Sequence, residues 1–247
     1  MSRFDSFKKG VMGGIPIALG YLAVSFSLGL QARQAGMDVW AAVVMSLTNL
    51  TSAGEFAALT IIASGAGYLE LALSQVVINL RYMLMSFALS QKVAPETGIL
   101  HRMGIAFGVT DEIFGISIAQ EGKLSPFFSY GAMAVAVPGW TIGTGLGVIF
   151  GNILPAVVVD ALNLALYSMF IAIFLPPAKK DRAVAVSVIT AMLLSTLFTY
   201  APYLREISPG MRTIILTVAI SFAAAVFFPI ADPEDASDER KSTGGAS

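Results

Sequence analysis

The sequence predicts an all-α integral membrane protein of about seven or eight transmembrane helices, and three observations support that prediction. Of 247 residues, 56% are apolar and 13% charged, whereas a soluble domain carries roughly a quarter charged. Mean hydropathy is +0.76. Uncharged stretches close to the ~20 residues that span a bilayer recur from end to end. One water-soluble core cannot hold so much apolar surface, so lipid is the solvent for most of it.

Taken in order, Met1 to Gly10 carries Arg3, Lys8 and Lys9 and reads as a cytoplasmic N-terminus (residues 1–10). The next apolar run holds Pro16 and Tyr21 and lacks a small-x-small exit, so it reads as an uncleaved first span and not a signal peptide. Spans are expected at about 11–31, 39–64, 69–91, 104–119, 126–149, 152–175, 183–202 and 210–229. The fourth is short and contains Asp111 and Glu112, which suggests a broken or re-entrant segment and makes seven crossings the rival count. Residues 11–229 form one transmembrane domain, and 230–247, rich in Asp, Glu, Ser and Gly, read as a disordered cytoplasmic tail.

With eight spans and the N-terminus inside, one side collects Arg3, Lys8, Lys9, Lys123, Lys179, Lys180, Arg182, Arg240 and Lys241. The other receives Arg33, Lys92, Arg102, Arg205 and Arg212. That bias places both termini in the cytoplasm of a plasma (inner) membrane protein. A faint internal echo joins Met12 to Gly20 with Met103 to Gly108, and suggests an inverted repeat of three-helix units plus two extra helices.

Several functions are excluded by composition. Net charge is −1, with no basic face for nucleic acid, and no phosphate-binding loop occurs. There is no Cys and one His, so neither a metal centre nor a catalytic set can be assembled; no cofactor is expected and the protein is read as no enzyme.

The chemistry-bearing positions are charges and breakers within apolar runs, because an ion at the bilayer centre costs several kcal/mol unless it faces a cavity or a partner. Glu55, Arg81, Asp111, Glu112 and Asp160 meet that description. Glu55 comes after Asn49, Thr51, Ser52 and Gly54, a mid-span cluster that suits either an unwound helix at a solute site or close helix packing. Such half-helix ends suit a zwitterion, the positive end near a carboxylate and carbonyls near an ammonium. Asn79 and Arg81 lie on the next span, with Gln75 on the same face. Arg81 can hold a solute carboxylate or serve as a strut to a buried acid. Asp111 and Glu112 project about 100° apart; one can pair with Arg81 while the other carries a proton, or both can lie solvated near a surface. Gly143-x-x-x-Gly147 after Trp140 reads as a structural close-approach motif. Asp160 and Asn163 form a polar stripe, and His101 reads as a loop residue and not a ligand.

In order, Gly14-Ile15-Pro16 with Gly20-Tyr21, Ala53-Gly54-Glu55-Phe56, Asn79-Leu80-Arg81, Thr110-Asp111-Glu112, Trp140 with Gly143-Thr144 and Gly147, and Asp160 resemble the AzlC family, the large subunit of a two-component branched-chain amino acid permease. The resemblance runs from about residue 10 to 230. It implies a secondary transporter exporting branched-chain or similar apolar amino acids, with a small AzlD-type subunit as partner. Ser52, Gly54, Glu55, Asn79, Arg81, Asp111, Glu112, Trp140 and Asp160 are the expected substrate-binding or translocation residues. Family members usually carry Gln at position 55 and His at 82, where this chain has Glu55 and Tyr82. A carboxylate at position 55 suits either a cationic group on the solute or a coupled proton, and efflux driven by the proton gradient is the expected mechanism. Membrane lipid surrounds the chain and an oligomer is possible. The alternatives are a pore or assembly component, or transport of a different small polar or cationic solute.

Overall fold

The computed structural model describes residues 2–228 apart from positions 152, 154, 156, 159–163, 165–170, 172–174 and 205. Helices run in the order α1 (Arg3–Gln34), α2 (Val39–Asn49), α3 (Ala53–Ala63), α4 (Tyr68–Lys92), α5 (Ile99–Phe107), α6 (Asp111–Ile118), α7 (Pro126–Phe150), α8 (Arg182–Tyr200) and α9 (Pro209–Phe227), with further helical residues at 175–180. Of these, α1, α4, α7, α8 and α9 are long and apolar enough to cross a membrane, and α2 and α3 are shorter apolar helices. The chain divides into two compact units, Met1–Ile171 with Ser208–Ile214, and Ala172–Ile207 with Ile215–Ser247. The expected sixth span, Asp160, Asn163 and the tail fall largely or wholly outside the described residues.

The first unit is built on α1 and α7, which run parallel in a constant register. Gly10 lies against Phe128, Gly14 against Ala132 and Gly29 against Gly147, an offset of 118 at each point. The lack of side chains makes this possible. A Cβ on Gly14 would sit 2.8 Å from the Ala132 carbonyl oxygen, and one on Gly139 would sit 2.6 Å from that of Ala18. Over the 19 residues from Gly10 to Gly29 the seam is about 28 Å long. Gly143 and Gly147 both lie in it, facing Leu22 with Ser25 and Phe26 with Gly29, so the Gly-x-x-x-Gly motif is a helix-packing device as its spacing indicates.

Two expected spans do not cross. The run 39–64 is α2 and α3 separated by Leu50 to Ser52. α2 starts beside the end of α1 and runs inward along α7, Ser46 Oγ lying 2.8 Å from Thr144 Oγ1. α3 then turns back along α4: its start at Gly54 meets Gln75 and Asn79, while Ile61 and Glu70 meet around Gly210. The run 104–119 behaves in the same way from the opposite end. Arg102 on α5 bonds Ser90 and the Ala94 carbonyl at the end of α4. After a break at Gly108 to Thr110, α6 returns until the Ile118 carbonyl meets Lys92 Nζ at 2.8 Å. Each pair is therefore a hairpin that enters and leaves at one end of the bundle. Hydropathy cannot separate this path from a crossing because both bury the same apolar run.

The long helix and hairpin α1–α2–α3 is succeeded by α4–α5–α6 in the opposite direction. Three-segment inverted units are thus present, with bounds other than the Met12 and Met103 echo suggests: Met12 lies on the long helix α1 and Met103 on the hairpin arm α5. His101 sits in the first turn of α5, not in a loop, with Nδ1 2.9 Å from the Tyr130 hydroxyl.

The breaks have local causes. Thr48 and Asn49 side chains bond the carbonyls of Val44 and Met45, competing with the helix at its last turn. Leu50 then caps α2 in the left-handed region at φ 52° and Ser52 holds φ 48°, ψ −90°. Non-glycine residues in such conformations cost of order 1–3 kcal/mol each and persist where surroundings impose them. At the second break Thr110 caps α6, its Oγ1 accepting from Ile113 N at 3.3 Å.

In the second unit, Asp181 caps α8 through Ala183 N at 2.7 Å. No residue of α8 is buried among the described residues.

Candidate functional site

The hairpin tips lie midway along α1, α4 and α7, and side chains from those three helices join them. On α7, Trp140 Nε1 donates to both oxygens of Glu55 at 3.2 Å. Glu55 also accepts from its own hairpin's Thr51 N at 3.1 Å. It is 1% exposed, and no Lys or Arg pairs with it among the described residues. Glu55 stands in the first turn of α3, whose start has no side-chain cap, and the groups it bonds are donors.

On α1, the Tyr21 hydroxyl donates to Glu112 at 2.5 Å and lies 2.7 Å from Thr110 Oγ1. Tyr21 and Trp140 meet edge to face with ring centroids 5.2 Å apart, a favoured aromatic geometry. On α4, Arg81 pairs with Asp111 at 2.7 Å and donates to the Tyr82 hydroxyl at 3.2 Å. Tyr82 in turn reaches the Thr51 carbonyl at 3.4 Å. The contacts close a ring: Thr51, Glu55, Trp140, Tyr21, Glu112, Asp111, Arg81 and Tyr82.

The ring brings together Glu55, Arg81, Asp111, Glu112 and Trp140 of the residues singled out from sequence. Ser52, Gly54 and Asn79 adjoin it. Gln75 Nε2 donates to the Gly54 carbonyl at 2.9 Å and Asn79 Nδ2 to Gln75 Oε1 at 3.1 Å. A Cβ on Gly54 would come within 2.5 Å of Thr51 Oγ1 and 2.8 Å of Gln75 Oε1, so only glycine lets these groups converge. Asp160 lies outside the described residues. Arg81 is held by Asp111 of this chain, the pairing that a strut requires. Asp111 and Glu112 divide as their 100° separation requires, one facing α4 and the other α1.

Sequence reasoning does not rank Tyr21 above the other tyrosines. Its signals are its place five residues after Pro16 and the Gly20-Tyr21 element of the family pattern, and neither gives it a role. Glu70 is likewise unmarked, yet its Oε1 receives Ser208 Oγ at 2.5 Å and Met211 N at 3.2 Å, capping the start of α9.

Polar atoms at the first tip remain unpaired. Thr51 Oγ1, Ser52 Oγ, Asn79 Oδ1 and Arg81 Nε are buried without a hydrogen-bond partner. Leaving such groups unsatisfied costs about 1–3 kcal/mol each, and these four lie at or beside the strained backbone of Leu50 to Ser52. Among the described residues no group of three His, Cys, Asp or Glu could hold a metal ion.

The sequence is similar to membrane proteins of other organisms. The chain is 29% identical over 181 residues to an uncharacterized membrane protein of Archaeoglobus fulgidus, covering 72% of this chain and 79% of the relative. It is 26% identical over 200 residues to the inner membrane protein YgaZ of Escherichia coli, covering 78% and 80%. A Helicobacter pylori membrane protein matches at 24% over 150 residues, 60% of this chain and 65% of the relative. No solved structure matches. The family described as AzlC protein matches residues 16–154, a span that holds both hairpins, α4, α7, the inner part of α1 and every side chain of the ring; the chain belongs to the AzlC family.

Proposed function

We propose that this protein is a secondary transporter that exports branched-chain or related apolar amino acids across the plasma membrane, coupled to protons and working with a small AzlD-type subunit. The observation that carries this reading is the meeting of two oppositely directed hairpins at mid-bundle, with a ring of polar and charged side chains around their broken backbones. Irregular backbone at that depth survives where protein or a solute satisfies it. Two inverted units with a site at their junction are the plan on which one unit can rock against the other and expose the site to each side in turn.

Positive charge favours a cytoplasmic N-terminus. Arg3, Lys8, Lys9, Lys92, Arg102 and Lys123 gather at the end of the bundle where α1 starts, while Arg33 and Arg212 lie at the other. The hairpin path moves Lys92 and Arg102 to the first group, which sharpens the bias over an eight-crossing path.

Efflux of labelled valine, leucine, isoleucine and methionine from vesicles tests the proposal, with and without the small subunit and with an uncoupler. Saturable efflux that needs the subunit and stops with the uncoupler is the expected result. Flux that rises linearly with concentration would mean a pore.

A further inference from the structure

The end of the bundle where α1 starts holds a cleft that the ring does not use. Its volume is about 400 Å³, and it is lined by Arg3, Ser6 and Lys9 of α1, by Glu121 and Lys123 between α6 and α7, and by Phe128 of α7. Arg3, Ser6 and Lys9 are three residues apart, so they share one face of their helix. Three cations thus line one concave site with a single carboxylate, and among the described residues none of the three forms an ion pair. Arg3 lies over the Phe127 ring, 5.4 Å from its centroid, and Lys123 Nζ donates to the Gln91 carbonyl at 3.3 Å; each keeps further N–H donors. The excess charge and the spare donors call for an anion.

Depth decides which anion. α7 is 25 residues long, about 37 Å, enough for the ~30 Å hydrocarbon layer with little to spare at either end. The constant register of α1 against α7 sets Pro126 level with Lys8, so the segment from Arg3 to Lys9 occupies the headgroup layer. Exposed apolar side chains follow on the flanking helices, Met12 and Ile15 on α1 and Ile118 on α6. We propose that this cleft binds an anionic phospholipid, its phosphate held among Arg3, Lys9 and Lys123 and its acyl chains laid along those exposed residues. Basic pockets between transmembrane helices take such headgroups. A lipid seated there bridges the start of α1, the foot of the second hairpin and the start of α7. The site is separate from the ring and stands whether or not the chain moves amino acids.

The test uses the full-length chain purified in a neutral detergent, with phosphatidylglycerol, phosphatidylcholine and inorganic phosphate as probes, read by native mass spectrometry and by thermal unfolding. Phosphatidylglycerol is expected to bind at least about tenfold more tightly than phosphatidylcholine, with an advantage that shrinks as salt is raised. Lys9→Gln with Lys123→Gln should weaken phosphatidylglycerol about tenfold or more, because each basic residue beside a headgroup contributes about a fewfold. Lys8→Gln with Lys179→Gln removes the same charge from exposed positions outside the cleft, and should leave binding within about twofold. Equal loss from both pairs, or no loss from the cleft pair, would overturn the site, since lipid would then be answering to overall charge. Displacement of phosphatidylglycerol by inorganic phosphate at comparable concentration would also overturn it, making the cleft a site for a free anion. If the cleft pair fails to fold, Lys9→Gln alone, at an exposed position, carries the test with an expected loss of about fivefold.

Discussion

At the scale of single residues, the ring sets different tasks for its charged members. Arg81 is a strut between the second hairpin and α4, and through Tyr82 it reaches the first. Arg81→Ala should abolish flux while leaving membrane insertion intact; wild-type flux in a well-expressed variant would remove the strut from the mechanism. Glu55 has no cationic partner among the described residues, so its charge is held by donors alone. Glu55→Gln keeps the shape and removes the charge, and flux should lose its dependence on pH; an unaltered pH profile would make Glu55 a bystander. Trp140→Phe leaves a carboxylate that is 1% exposed without its indole donor, costing about 1–3 kcal/mol, to be read as a lowered midpoint of unfolding in detergent. The buried charges are legible in the sequence because an ion in an apolar run is costly wherever it lies. Their pairing is not: Arg81 has four acids within plausible reach in sequence, and only the fold selects Asp111. The role of Tyr21 is illegible for the opposite reason, since a hydroxyl is cheap enough to need no explanation.

At the scale of elements, the α1 and α7 seam and the two breaks do the positioning. Gly147→Leu pushes a side chain into the backbone of α1 at Phe26 and Gly29, and should destabilise by about 1–3 kcal/mol or more, the usual cost of overpacking; unchanged thermal stability would mean the helices separate freely. Thr110→Ala removes the cap of α6, worth about 0.5–2 kcal/mol, and takes away one of the two partners of Tyr21. Limited helix loss at the second tip by hydrogen exchange is the expected readout. The Gly143-x-x-x-Gly147 motif is readable since small residues four apart favour close approach. The cluster Asn49 to Gly54 announces an interruption, and the structure has one there. The path of the chain beyond an interruption is set by tertiary contacts, such as those of Gly54 with Gln75 and Asn79, which the local sequence does not contain.

At the scale of the whole molecule, the inverted relation of α1–α2–α3 to α4–α5–α6 is what turns a set of buried charges into a candidate transport site. Helix content and membrane character follow from composition, but chain direction depends on whether each broken run crosses or returns. The chain has no Cys, so single cysteines can report this against a clean background. Gln34→Cys, Ser64→Cys, Glu96→Cys and Glu121→Cys, each at an exposed position, are labelled with a membrane-impermeant maleimide added to intact cells or to inverted vesicles. The hairpin fold predicts that positions 34 and 64 react from one face and positions 96 and 121 from the other. If 34 and 96 share a face while 64 and 121 share the opposite one, both broken runs cross, and the two tips cannot meet as described.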